Sequence, residues 1–381
     1  MEKNNGTSNA QSIFGTHLIP STTQIHNLLD RISPTAVYPI FTQIGDHLYK
    51  NGYLDAFRSV NGTLAIALDG TQFFSSANIH CPCCSQQTFK EGSTVYKHSA
   101  VTPVIVKPGS SSVLPLPPEF VAPQDGQKKQ DCEINAGKRW LETWGTHYAP
   151  WKVTILGDDL YCHQPFCQAV LDQGLAFIFV CQSRSHPVLY EWLDDFKRSG
   201  EVKVIERRVW NGRQRLVETY RYFNHLPLRD GDDALIVNWC ELTIADTKGK
   251  VAYQNAWATS HQITDNNVME IAAAGRARWH IENGNNNTLK NQGYHFDHNF
   301  GHGKKHLANL LATLNILAYL AHSVLDLLDT CYQAVRKQFS SRQSFFNDLR
   351  ALLIYMLFES WDHFMQFMLE QLCGKKIPDS S

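Results

Sequence analysis

An excess of charge of either sign is what this chain most plainly lacks. Lys plus Arg number 35 and Asp plus Glu 36, for a net charge of −1. That balance excludes a uniformly basic nucleic-acid coat and a strongly acidic solvating chain, so a polyanion partner must be met by local patches. An apolar leader is also missing. The opening Met1-Glu2-Lys3-Asn4-Asn5 has no h-region of a secretory signal, and the ten cysteines are expected as reduced thiols in a cytoplasm. No clean membrane-spanning run is present either. The most apolar stretch, Leu307 to Leu328, is interrupted by Asn309, Thr313, Asn315, His322 and Asp326, each costly in a bilayer, and reads as a buried core helix. There is no internal repeat.

What is present is a chain of 381 residues, 43% hydrophobic, enough for a sizeable core and two or three folded units. Residues 1 to about 20 are polar and expected to be loose. Ser21-Thr22-Thr23-Gln24 before Ile25, Leu28, Leu29 and Ile32 predicts a capped amphipathic helix, and helical character continues from Ala36 to Leu54. Leu64 to Leu68 is a continuous apolar run ending in Asp69-Gly70-Thr71, the pattern of a buried strand with a polar C-terminal end. Val101 to Val106 repeats the strand signature. A Pro-rich connection or edge strand from Leu114 to Pro123 leads to a helix around Glu133 to Trp144. Val153 to Asp159 and Ala176 to Cys181 are further buried strands with a helical run between them, which implies an α/β layer. From Glu201 to about Trp257 the chain alternates, with turn signals at Asn211-Gly212, Arg229-Asp230-Gly231-Asp232 and Lys248-Gly249-Lys250, and reads as an antiparallel insertion. Helical periodicity resumes at Asp265 and runs to Phe367.

Side chains just past the C-terminal ends of neighbouring strands converge on one crevice, so Asp69 and Asp158 are candidates for a shared site. Each alone reads more simply as a turn residue or helix N-cap. Farther on, positions 268, 271, 272, 275, 279 and 282 fall on one helical stripe. That stripe aims Glu282 along the core-facing side, where Arg278, one turn earlier, can neutralise it. Neighbours on a strand point apart, so Asp159 is expected to face away from Asp158.

These three segments together resemble a family. Asp69-Gly70-Thr71, Gly157-Asp158-Asp159-Leu160-Tyr161 and Gly275-Arg276-Ala277-Arg278-Trp279-His280-Ile281-Glu282 are similar to the three motifs of DDE transposases of bacterial insertion sequences, in the branch named after insertion sequence four. The resemblance runs from about Pro20 to His322. Two departures stand out. Gly275 replaces the Tyr of the motif Tyr-x-x-Arg-x-x-x-Glu-x-x-x-x-x-x-Lys, and Lys290 follows Glu282 by eight positions rather than seven. Gly284 and Asn285-Asn286-Asn287 are poor helix formers, and a bend there would restore the alignment. The N-terminus is also short beside relatives that carry a further DNA-binding region.

The resemblance implies an α/β ribonuclease-H-like core interrupted by a β-rich insertion, with helical N- and C-terminal flanks. It divides the chain into a helical N-terminal region, 1–60, read as a shortened DNA-binding part, and the first part of the catalytic core, 61–200. The insertion follows at 201–262, the helical completion carrying the catalytic Glu at 263–325, and a C-terminal helical region at 326–381. It implies strand cleavage and strand transfer at element ends in a bacterial, nucleoid-associated setting. The partner would be double-stranded DNA, as terminal inverted repeats and target, bound by a homodimer in the synaptic complex. Asp69, Asp158 and Glu282 would be the catalytic residues and would ligate two Mg²⁺ ions, with Mn²⁺ as the substitute. Three carboxylates suit a hard ion while leaving positions for phosphate and water. Arg278 and Lys290 would contact DNA. The alternative reading is a catalytically silent or truncated DNA-binding relative that regulates transposition.

Other clusters remain. Arg207, Arg208, Arg213 and Arg215, interleaved with Trp210, Tyr220, Tyr222 and Phe223, suit phosphate contact and base stacking, or else form a solvated face over core aromatics. Lys304 and Lys305 end a His-rich stretch from Tyr294 to His306 that suits DNA-backbone contact, with ordinary polar surface as the alternative to a metal site. Cys81-x-x-Cys84 with His98 is half of a structural Zn²⁺ site lacking an identified fourth ligand; buried free thiols are the simpler expectation. Cys162-His163 is not expected to be a nucleophilic pair, because adjacent residues point apart.

Overall fold

The computed structural model describes residues 8–18, 20–123 and 130–374. Residues 1–7, part of the stretch expected to be loose, lie outside it. The fold is mixed α/β, with a nine-stranded mixed sheet and a smaller four-stranded sheet among α-helices. In chain order the strands are β1 (Leu64–Ala67), β2 (Gly70–Ser76), β3 (Ser85–Thr88), β4 (Thr94–Val101), β5 (Val104–Val106), β6 (Val113–Pro115), β7 (Glu119–Phe120), β8 (Val153–Gly157) and β9 (Ala176–Val180). Four more follow: β10 (Lys203–Trp210), β11 (Arg215–Pro227), β12 (Ile236–Asp246) and β13 (Val251–Thr259).

Contacts divide the chain into two compact units, each assembled from separated segments. One comprises 1–41, 72–98 and 286–381, and the other 42–71 and 99–285. The second unit holds the large sheet, in the order β10-β11-β12-β13-β9-β8-β1-β5-β6. β1 runs parallel to β8, and β8 to β9. β5 lies antiparallel to β1 and β6 to β5. Every residue of β1, β8, β5 and β6 is buried; for the central strands β1, β8 and β5 this is what their mostly apolar sequences lead one to expect. The single strand expected from Val101 to Val106 is two, because Pro103 has no N–H to give a ladder; β4 stops at Val101 and β5 starts at Val104. The expected insertion is the antiparallel succession β10 to β13, with β13 pairing against β9. Helices Glu133–Tyr148, Gln164–Asp172 and Pro187–Arg198 belong to the same unit. So does Val268–Ala277, which contacts β9, β11 and β12.

In the first unit, β3 pairs with β4 in a hairpin of Ser85↔Lys97 register. The helix Thr22–Leu29 begins with the expected Ser21 and Gln24 capping box. Helix Leu307–Leu328 is long and apolar enough to cross a membrane by length and composition, yet its polar positions have partners within the unit. Asn315 donates to the Tyr294 carbonyl, His322 bonds the Tyr294 hydroxyl, and Asp326 pairs with Arg342. At its start, Asp30 accepts the backbone N–H groups of Lys304, Lys305, His306 and Leu307. Burial would raise the Asp30 carboxyl, but these four donors hold it down to about 2.

Candidate active site

Strand β1 ends in buried Leu64 to Leu68 and β8 in buried Gly157. Asp69 and Asp158 therefore emerge just past the same ends of two parallel, hydrogen-bonded strands, the place where polar side chains of an α/β sheet meet. Asp158 also accepts the Leu160 N–H at 2.9 Å in a local turn. Its neighbour Asp159 has other partners, though both residues lie past the end of β8 and strand alternation does not apply to them: it accepts the Gln182 N–H and the Ser185 hydroxyl and lies 3.5 Å from His186.

A fourth carboxylate, absent from the sequence reading, stands beside them. Glu133, first residue of its helix, accepts the Gly70 N–H at 2.9 Å and the Tyr161 hydroxyl at 2.8 Å. A Cβ at Gly70 would lie 2.2 Å from Glu133 Oε2, so any larger residue there would displace the Glu133 carboxylate. Burial is the first cause that pushes the Asp69 carboxyl up to about 7; the charges of Glu133, Glu282 and Asp158 add to it, against the pull of Arg278. Asp69 is thus the group on which the other three carboxylates and the guanidinium all act. Burial also raises Glu133, with the Tyr161 and Gly70 hydrogen bonds opposing.

Glu282 differs from its expected orientation. Arg278 does pair with it, Nη1 to Oε1 at 2.8 Å, but the Glu282 side chain is 46% exposed and Trp279 is 58% exposed. Val268, Ile271, Ala272 and Gly275 of the expected stripe are buried, together with Ala274, Ala277 and Ile281. The stripe fails where the α-helix ends at Ala277 with Arg278 as its C-cap, ahead of a π-helical stretch, Ile281–Asn286, and α-helix Asn287–Asn291. A stripe drawn at a constant 3.6 residues per turn does not carry across that break. The poor helix formers Gly284 to Asn287 lie in that continuing helical run. Lys290 lies in its last helical segment.

Gly275, where the resembled motif has Tyr, is explained by its neighbour: a Cβ would come within 2.5 Å of the fully buried Trp257 Nε1. Beside it, Tyr253, Asn255, Arg276, Arg278 and Trp279 line a cavity of about 390 Å³.

The basic insertion is only partly as expected. Arg207, Arg208, Arg213 and Arg215 are all exposed, as is Trp210 at 65%. Arg207 and Arg208 are successive on β10 and point to opposite faces, so the four do not make one patch. Tyr220 and Tyr222 are buried, with hydroxyls donated to Glu218 and Asp265, and do not offer faces for base stacking. Arg221 and Arg229 pair with Glu241 and Asp233. Lys304 and Lys305 are exposed in the loop that Asp30 binds through its backbone.

Among the described residues, two groups bring at least three potential metal-ligating atoms within 4.8 Å of one another: Cys81, Cys84, His98 and His302, and the buried Cys162, Cys181 and His186. Asp69, Asp158 and Glu282 do not form a third such group, consistent with like charges standing apart. His302 is a partner that the sequence reading did not attach to Cys81, Cys84 and His98, being 204 residues from His98. Cys162 is fully buried against Cys181 and not His163, so no exposed thiolate nucleophile forms there.

No protein-family model matches the sequence, and a search of curated proteins finds no match.

Proposed function

We propose that this chain is a DDE-type DNA transposase, catalysing metal-dependent strand cleavage and strand transfer at the ends of an insertion sequence. The observation that carries the reading is that Asp69 and Asp158 emerge past the same ends of two paired parallel strands, with Glu133, Glu282 and Arg278 near enough for their charges to act on Asp69. Three carboxylates against one guanidinium leave negative charge that a hard cation would neutralise, and the donors are oxygens, as Mg²⁺ prefers. A ribonuclease-H-like core is supported by the order β6-β5-β1-β8-β9, in which β1, β8 and β9 are parallel and the other two antiparallel. The antiparallel β10 to β13 then form its insertion.

Asp69, Asp158 and Glu282 would hold two Mg²⁺ ions, or Mn²⁺ in their place. When bound, such ions activate the attacking oxygen and stabilise the leaving oxygen of an in-line displacement at phosphorus. Arg278 would direct Glu282 through the ion pair between them. Gly70 and Tyr161 fix Glu133 beside Asp69. The Ser185 hydroxyl and Gln182 N–H hold Asp159 away from this set. Exposed Arg208, Arg213, Arg215, Lys304 and Lys305 suit contact with the phosphates of double-stranded terminal repeats and target, with Arg207 on the other face of its strand. Lys290 is assigned a DNA contact by the resembled motif, and a homodimeric synaptic complex in a bacterial cytoplasm belongs to the same reading.

The second reading, a catalytically silent DNA-binding relative, draws on the altered third motif. One assay separates the two. A linear duplex bearing the element's own end is incubated with Mg²⁺ or Mn²⁺ and either the natural chain or Glu282→Gln. Nicking by the first and not by the second is expected. Tight binding by both without nicking by either selects the silent relative.

A further inference from the structure

Four side chains outside the carboxylate site converge within the first unit. Cys81 and Cys84 lie on the turn before β3, His98 is on β4, and His302 is in the loop before helix Leu307–Leu328. Their separations are those of a metal tetrahedron. The thiol sulfurs are 3.7 Å apart. His98 Nε2 lies 3.3 Å from each sulfur. His302 Nδ1 lies 3.3 Å from His98 Nε2 and 3.9 Å from Cys84 Sγ. A tetrahedral Zn²⁺ with Zn–S near 2.3 Å and Zn–N near 2.0–2.1 Å requires edges of about 3.8 Å between sulfurs, about 3.5 Å between sulfur and nitrogen and about 3.3 Å between nitrogens. All five of these separations fall within about 0.4 Å of those values. A disulfide, with its bond of about 2.05 Å, does not describe the sulfur pair.

The surroundings are those of a built site. The Cys84 N–H donates to the Cys81 carbonyl, and the Cys81 N–H to Cys84 Sγ at 3.3 Å. Burial is the first cause that raises the Cys81 thiol, and the backbone N–H groups of Cys83 and Cys84 oppose that rise. Phe73 stacks on the His98 ring at 5.6 Å, and Phe74 meets His302 edge-on at 4.0 Å, so both imidazoles are held by packing. Cys84 and His98 are 2% and 3% exposed. Two thiolates and two neutral imidazoles balance the charge of one divalent ion, and softer sulfur with imidazole selects zinc over magnesium.

We infer that Cys81, Cys84, His98 and His302 form a structural Zn²⁺ site, one ion per chain, which ties the loop carrying Lys304 and Lys305 to the β3–β4 hairpin. Binding converts two thiols to thiolates and releases their two protons to solvent. Four protein ligands leave no open position, as befits a structural site rather than a catalytic one.

The full chain, purified without chelator, should contain one zinc per chain by elemental analysis. Replacement with Co²⁺ should give the visible d–d absorption of a tetrahedral site. His302→Ala should lose both signals after dialysis against a weak chelator, whereas His298→Ala should keep them. His302→Cys, which substitutes one ligand for another, should retain stoichiometric metal and gain sulfur-to-cobalt charge-transfer intensity; its retention shows that loss in His302→Ala reflects the ligand and not a failure to fold. Full metal content in His302→Ala, or no zinc or cobalt bound by the natural chain, would overturn the assignment.

Discussion

Asp69 carries an unfavourable charge among its neighbours. Burial and the three neighbouring carboxylates push it up to about 7, with Arg278 opposing, so above that pH its ionised form is held against repulsion. Asp69→Asn, of nearly the same shape, should therefore raise the melting temperature of chelator-treated protein at pH 8, by on the order of 1–3 kcal/mol in stability, while abolishing the further rise on adding Mg²⁺. A lower melting temperature for the variant in chelator would show that no such repulsion exists. Gly275 has a different constraint. Its missing Cβ leaves room for the buried indole of Trp257, and Gly275→Ala should cost about 1–3 kcal/mol through overpacking. Gly275→Tyr, which would restore the residue of the resembled motif, should cost more. Urea midpoints for the two variants test this; an unchanged midpoint for Tyr would mean that the Trp257 wall yields.

Among the elements, helix Leu307–Leu328 depends on a residue far away in sequence. Asp30 caps its approach with four N–H bonds, and its carboxyl is held at about 2 against an ordinary 3.8. A folded-state value below the unfolded one contributes stability above pH 3.8 that disappears as pH falls through about 2. Melting curves of the natural chain and Asp30→Asn should thus differ at pH 5 and converge near pH 2. A constant gap across that range would remove the carboxylate charge from the explanation. The break after Ala277 shows why Glu282 was misplaced by periodicity. Position 282 lies on a core stripe only if the helix runs unbroken at 3.6 residues per turn, and the poor helix formers Gly284 to Asn287 mark an irregularity in Ile281–Asn286 without giving its kind. A π turn takes up one residue more than an α turn, the same number by which the Glu282 to Lys290 interval exceeds that of the resembled motif.

For the molecule as a whole, the large sheet was legible because its central strands are written as apolar runs: Leu64 to Leu68, Val153 to Leu156, broken only by Thr154, and Phe177 to Val180 are buried. The antiparallel insertion was legible from its Gly-containing turns. β3, Ser-Gln-Gln-Thr with three exposed residues, carries no such signal and was not anticipated. Nor was the grouping of 72–98 with 286–381, since a chain read in sequence suggests consecutive blocks. The same limit applies to the sites. Asp69 and Asp158 are marked by the strands they end, whereas Glu133 resembles any acidic residue at a helix start, and His302 is one His among several in its loop until the fold returns it to His98.

The distances along the chain give the Cys/His cluster an unequal history. Cys81, Cys84 and His98 lie within 17 residues of one another, while His302 is 218 residues beyond Cys84. In an unfolded chain the longer closure costs about 2 kcal/mol more than the 14-residue one between Cys84 and His98, by the logarithmic law for flexible loops. During synthesis three ligands are available to an ion long before the fourth has been made. The ion would then be held first by a short local turn and completed last, when the returning chain brings His302 home, so that coordination records the order in which the unit's segments assemble.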